Sequence, residues 1–146
     1  MRKLLILLLL FTFFYGQSQL PTYGGKIKPE QANMDIRHYT IALNVDIPQK
    51  SISGYTVIDL ILAQETHTLL FDLMNDLQVE KIWVNGKATP FTHENNLITV
   101  NSADILPAGK TSVKVQYSGK PHVAKRPPWE DGFTWTNDST GHPWVA

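Results

Sequence analysis

The sequence predicts an all-β fold, an antiparallel β-sandwich or open sheet with a loop-rich C-terminal end, on three observations. Apolar and polar residues alternate with period two along much of the chain, as they do in strands that bury one face. Turn-forming residues recur at short intervals between these stretches, which is typical of antiparallel all-β domains. No window shows the sustained 3.6-residue repeat of a long helix.

The first two strands are predicted at residues 39–47 and 51–62, separated by Pro48. Odd-numbered positions of the first are apolar, which predicts a half-buried strand. Gly54 lies inside the second, where a glycine marks a bulge or a close backbone approach. The second strand has two apolar faces, so both are expected to be covered at least in part: one carries Ile52, Thr56, Ile58, Leu60 and Leu62, the other Tyr55, Val57 and Ile61.

Five further short strands follow, and turns separate them. Asn85-Gly86 is a strong hairpin signal, because both central positions of a type I′ turn require positive φ. Asn95-Asn96 and Pro107-Ala108-Gly109 predict two more turns, with Ile105 and Leu106 leading into the second. The strands are expected at residues 67–73, 77–84, 87–92, 97–100 and 111–117.

The N-terminus is predicted to be a signal peptide over residues 1–18. Arg2 and Lys3 are basic, an uncharged apolar run follows, and Gly16, Gln17 and Ser18 suit cleavage. The apolar run is shorter than the ~20 residues of a spanning helix, although an uncleaved anchor is the alternative. The protein is therefore expected to be secreted, periplasmic or on the cell surface, with an extended lead-in at residues 19–34 and one domain at residues 35–146.

The chain carries no catalytic or metal-binding motif. Its 13 basic and 13 acidic residues balance, which argues against nucleic acid or an anionic membrane as a partner. None of the five histidines lies three to five residues from another, so the usual spacing of zinc ligands is absent. His93-Glu94-Asn95-Asn96-Leu97 begins like HExxH but ends in leucine and is interpreted as a solvated loop. There is no cysteine and no Gly-x-Ser-x-Gly elbow.

After Tyr117 the alternation fades and aromatic residues accumulate. Trp129, Phe133, Trp135 and Trp144 lie among prolines and glycines. Aromatic side chains in a loop can form a surface that recognises sugars or peptides. The alternative, favoured here, is that they pack on the sheet or on a neighbouring domain.

Two segments resemble peptidase family M1, the aminopeptidase N family of zinc metallopeptidases. Residues 35–46 (Asp-Ile-Arg-His-Tyr-Thr-Ile-Ala-Leu-Asn-Val-Asp) resemble the opening strand of that family, and Ser53-Gly54 begins a second strand as in the family. Residues 127–135 (Pro-Pro-Trp-Glu-Asp-Gly-Phe-Thr-Trp), with residues 141–146, resemble a version common in secreted bacterial members.

The resemblance implies a saddle-shaped N-terminal β domain that ends before the catalytic domain. The zinc and the HExxH and GxMEN motifs would belong to that missing domain, and the residues by which the family's N-terminal domain touches substrate would follow residue 146, so this chain would have no cofactor and no activity alone. The resemblance implies at most that Trp129, Phe133 and Trp135 border the cleft. Two alternatives stay open: a free-standing secreted β-sandwich module that binds carbohydrate or peptide through loop aromatics, and a structural adhesion domain.

Overall fold

The computed structural model describes residues 26–127 and 132–146. The predicted signal peptide and Trp129 lie outside these residues. The described chain is almost entirely β, and its elements are α1 (Pro29–Ala32), β1 (Met34–Asp46), β2 (Ser51–Leu62), β3 (Thr66–Asp72), β4 (Leu77–Val84), β5 (Lys87–Ala88), β6 (Phe91–Glu94), β7 (Leu97–Leu106), β8 (Gly109–Gly119), β9 (Trp135–Asn137) and β10 (Pro143–Val145).

These strands form two sheets and a separate hairpin. The first sheet has five strands in the order β1-β2-β8-β4-β5, and the second has three in the order β3-β7-β6. All strand pairs are antiparallel. No described sheet closes into a barrel. The predicted all-β open sheet or sandwich is therefore confirmed.

The core lies on the apolar faces that the period-two pattern indicated. In β2, the predicted inner residues Ile52, Ile58, Leu60 and Leu62 are all buried. β8 buries Val113, Val115 and Tyr117, again as predicted. The buried residues of β2 and β8 form one cluster with residues of the second sheet, the most buried of which are Leu69, Ile98 and Val100. Burial of this apolar surface is the main stabilising contribution in a chain without disulfides.

The predicted turns are present. Asn85 and Gly86 have φ of 49° and 80°, and Asn95 and Asn96 have φ of 53° and 61°. Positive φ at both central positions is the requirement of a type I′ turn. Each pair of residues therefore closes a hairpin, β4–β5 at the first and β6–β7 at the second.

Gly54 marks a close approach of two backbones rather than a bulge. Its register with β1 is regular, with Leu43 directly opposite. A Cβ atom at position 54 would lie 2.0 Å from the carbonyl oxygen of Ala42, far inside van der Waals contact. Only glycine allows β1 to lie this near to β2.

The sequence predicts an extended lead-in at residues 19–34, but part of the described lead-in is helical. Residues 29–32 form the one-turn helix α1. Pro29 occupies its first position, where the fixed φ of proline suits a helix and its missing N–H is not needed. The Gln31 side chain accepts a hydrogen bond from the Lys28 N–H at 3.3 Å. No described helix is long and apolar enough to cross a membrane.

Candidate functional site

The aromatic C-terminal segment contains a short hairpin, β9–β10. Trp135, Thr136 and Asn137 pair with Val145, Trp144 and Pro143. The backbone of Thr134 exchanges two hydrogen bonds with that of Ala146, at 2.7 and 3.1 Å. Three-residue strands are too short for period-two alternation to be recognised, so the sequence predicted a loop here.

A backbone bridge ties the hairpin to the chain that leaves β8. The Phe133 N–H donates to the His122 carbonyl at 2.7 Å, and the Ala124 N–H donates to the Phe133 carbonyl at 3.1 Å. At Gly132 (φ 114°), a Cβ atom would lie only 2.7 Å from the same His122 oxygen. Glycine at this position lets the two segments lie side by side.

Phe133 and Trp135, two of the three predicted cleft residues, are brought together. Their rings stack with centroids 5.5 Å apart and planes inclined by 19°. Both are partly buried against the main core. The Trp135 Nε1–H is buried and has no acceptor in the described part of the chain, so ring packing holds the indole. The third residue, Trp129, lies outside the described residues.

A cavity of about 500 Å³ lies beside this stack. The hairpin forms one wall and the β1–β2 turn forms the other. The mixture of apolar side chains with amide, hydroxyl and ammonium groups is typical of ligand and peptide sites. The lining residues are Ile47, Pro48, Lys50, Trp135, Thr136, Asn137 and Pro143.

The loop of the hairpin is organised by the Asp138 carboxylate. It accepts hydrogen bonds from the Thr140 hydroxyl at 2.7 Å, the Thr140 N–H at 2.8 Å and the His142 N–H at 2.9 Å. The Thr140 hydroxyl, followed by the backbone donors, holds the pKa of Asp138 below its ordinary value. Hydrogen bonds to the charged form have this effect because protonation would weaken them.

Replacing Thr140 with valine is expected to raise the pKa of Asp138 toward its ordinary value. Because the folded pKa is lowered, the carboxylate stabilises the loop fully above the ordinary value of 3.8 and loses this effect as the pH falls through the folded pKa. An NMR titration of the Asp138 carboxyl carbon measures the change. Thr136→Val, on β9 of the same hairpin, should leave the titration unchanged. An unchanged pKa in Thr140→Val would contradict the assignment.

β1 is more exposed than its period-two pattern predicted. Its odd-numbered apolar side chains, which we call the β1 row, were predicted to be buried on one face. They lie on the inner face of the first sheet, since Tyr39 is opposite Ile58 and Val45 is opposite Ile52. They are nevertheless exposed: Tyr39 by 53%, Ile41 by 60%, Leu43 by 43% and Val45 by 38%. The second sheet has only three strands and leaves this edge of the five-stranded sheet uncovered.

The described residues offer no metal centre. They contain no group of three or more His, Cys, Asp or Glu side chains able to hold an ion, so they do not fit a zinc site. His93, interpreted from sequence as a solvated loop residue, instead lies in β6 and is half-buried. Its Nε2 is 2.9 Å from the carbonyl oxygen of Leu73, the residue after β3, which gives His93 a structural role in linking that residue to β6.

No family model and no curated protein matches the sequence, but solved structures match the fold. An M1 zinc metallopeptidase mutant from Deinococcus radiodurans, bound to a Tyr-Ser-Ala substrate, is 20% identical with a TM-score of 0.59; the match covers 77% of this chain and 28% of that one. Leukotriene A4 hydrolase from Saccharomyces cerevisiae is 16% identical with a TM-score of 0.59, covering 78% and 19%. The yeast hydrolase in complex with bestatin is 16% identical with a TM-score of 0.58, covering 86% and 21%.

These likenesses establish the fold. Most of the chain superposes on part of each metallopeptidase or hydrolase, and it spans between about a fifth and just over a quarter of their lengths. The fold that the resemblance to peptidase family M1 implied is therefore confirmed.

Proposed function

We propose that this chain is the non-catalytic N-terminal β domain of a secreted M1-type zinc aminopeptidase. In the intact enzyme it would cover the catalytic domain and help to form the cleft that binds a peptide at its N-terminus. The fold likeness carries the proposal, because it covers 77% of this chain but only 28% of the metallopeptidase. The catalytic zinc and the residues that hold it would belong to the rest of the enzyme.

The β1 row supports this proposal because it would form the interface with the catalytic domain. A contiguous apolar strip on one strand is unusual on an isolated domain and marks a surface that another domain or protein covers. The row ends at the β1–β2 turn, whose Ile47 lines the cavity beside Trp135. The interface with the catalytic domain and the peptide cleft would therefore adjoin each other.

The hairpin supplies the groups for the border of the cleft. Phe133 and Trp135 are held by stacking and by the bridge to residues 122–124, so they form a stable wall. We propose that they contact the peptide substrate, together with Trp129. This role requires no acid, base or metal ligand from the described chain.

Secretion is part of the proposal and rests on the sequence alone. The basic, apolar and small-residue regions of residues 1–18 have the order of a signal peptide. Expression of the full chain in a bacterial host tests it. We expect the mature protein in the periplasm or medium to begin near Gln19, as measured by mass spectrometry. If the uncleaved chain stays in the membrane instead, residues 1–18 act as a membrane anchor and not as a signal peptide.

The purified chain is expected to release no amino acid from peptides or from aminoacyl-naphthylamides, with or without added zinc. The reason is that the described residues hold no group of metal-ligating side chains. A chelator-sensitive peptidase activity would overturn the proposal. Saturable binding of a peptide or neutral sugar in the Trp135 cavity, lost in Trp135→Ala, would instead support a free-standing binding module.

A further inference from the structure

The outer face of the five-stranded sheet carries two adjoining cavities. One, of about 350 Å³, is lined by Trp83, Gly86, Ser112 and Lys114. The other, of about 410 Å³, is lined in part by Arg37, Asp59, Lys110 and again Ser112. They share Ser112 and border the Asn85-Gly86 turn. We call the pair the outer groove.

Cross-strand register builds the floor of the outer groove. Lys114 in β8 lies between Trp83 in β4 and Val57 in β2. Its Nζ lies 3.9 Å from the centroid of the Tyr55 ring and 5.4 Å from that of the Trp83 ring. These cation–π contacts hold the ammonium group beside the indole instead of leaving it free in water.

Cations exceed anions along the outer groove. Its lining includes Arg37, Lys110 and Lys114 but only one acid, Asp59. Lys81 adds a further cation 5.0 Å from the Trp83 centroid. This excess is local, because the whole chain has a formal charge of zero.

Two nearby acids offset part of this excess. Asp35 pairs with Arg37. Glu80 accepts hydrogen bonds from the Gln116 amide and the Ser118 hydroxyl, both at 2.6 Å, and these bonds lower the pKa of Glu80. Because Asp35 offsets the charge of Arg37 and Glu80 stays ionised, the ammonium groups of Lys81, Lys110 and Lys114 carry the remaining positive charge of the outer groove.

We propose that the outer groove binds an acidic oligosaccharide, a chain of uronate sugars. The apolar face of one sugar ring stacks on Trp83, and its carboxylate accepts hydrogen bonds from Lys114 and the Ser112 hydroxyl. The next sugar lies over Ser112 toward Lys110. The two cavities thus form two successive subsites.

A sugar fits this surface better than an acidic peptide. A peptide that adds to a β-sheet pairs with a free strand edge, whereas the groove lies across β4, β8 and β2, and β8 is paired on both sides. Recognition must therefore use side chains on a sheet face. A half-buried indole beside two ammonium groups suits a uronate, whose apolar C–H face can pack on the indole while its carboxylate meets the ammonium groups. The site is separate from the Trp135 cavity and does not depend on the proposed enzyme.

The test is titration of the secreted, mature chain with an oligomer of galacturonic acid, by calorimetry and tryptophan fluorescence. We expect a dissociation constant of about 1 mM or tighter, weakened several-fold as NaCl rises from ~0.05 to ~0.5 M. Lys114→Gln should weaken binding about tenfold, since a charge-assisted hydrogen bond is lost. Trp83→Ala should weaken it at least as much. Thermal unfolding of each variant checks that it folds.

Matched controls separate this site from general charge and from the hairpin. Lys50→Gln removes a cation at the far end of β2, and Trp144→Ala removes a half-exposed indole on β10. Both should bind the uronate normally. The proposal is overturned if the uronate does not bind, if an uncharged oligosaccharide of equal length binds equally, if poly-glutamate of equal charge binds as tightly, or if Lys50→Gln weakens binding as much as Lys114→Gln.

Discussion

Gly54→Ala is expected to lower the free energy of unfolding by about 3 kcal/mol, or to prevent folding, because overpacking against backbone adds to an unfavourable φ. The new methyl group would lie 2.0 Å from the Ala42 carbonyl oxygen and 3.1 Å from the Leu43 Cα. Neither atom can move without separating β1 from β2. Urea unfolding followed by tryptophan fluorescence measures the loss.

Gly86→Ala is the matched control for this substitution. Gly86 also has positive φ, 80°, but nothing lies within 4 Å of a Cβ atom built there. The Gly86→Ala variant should lower the free energy of unfolding only through the unfavourable backbone conformation, by about 1–2 kcal/mol. Equal losses in the two variants would show that backbone conformation, and not the approach of β1, requires glycine at position 54.

Leu69→Ala is expected to destabilise the chain by about 2–5 kcal/mol, the usual effect of removing a fully buried leucine. The Leu69 side chain is 0% exposed at the centre of the core. Leu43→Ala, in the β1 row, deletes the same atoms from a residue that is 43% exposed. It should lower the free energy of unfolding by less than about 1 kcal/mol. Urea unfolding of both variants makes the comparison. A loss at Leu43 equal to that at Leu69 would mean that the β1 row is covered in this chain.

The period-two pattern predicted the strands and their faces well, because alternation depends on the pleat of each strand and not on its neighbours. It placed Ile58 and Leu60 of β2 and Val113 of β8 in the core, where they lie. The same pattern cannot show whether a second layer covers a face. Tyr39 and Ile41 share the inner face with Ile58, but the narrower second sheet leaves them exposed.

Breaks in the alternation hid the start of β1. The strand begins at Met34, five residues before the predicted start. A bulge between Ile36 and His38 changes the phase, so that even-numbered residues before it and odd-numbered residues after it face the core side. A pattern read in one phase misses the residues before the bulge.

The candidate sites differ in how far sequence could predict them. Phe133 and Trp135 are two residues apart, so their clustering was visible in the sequence. Tyr55, Trp83 and Lys114 lie on three separate strands, and only the register of β2, β8 and β4 brings them together. No local motif could have indicated the outer groove.

The coding DNA beyond the Ala146 codon tests the central claim most directly. If this chain is the N-terminal domain of an M1-type aminopeptidase, translation should continue and reach GxMEN and HExxH motifs, with a further glutamate ligand downstream. A stop codon directly after Ala146 would contradict the claim. The chain would then stand alone, and the Trp135 cavity and the outer groove would become its candidate sites of action.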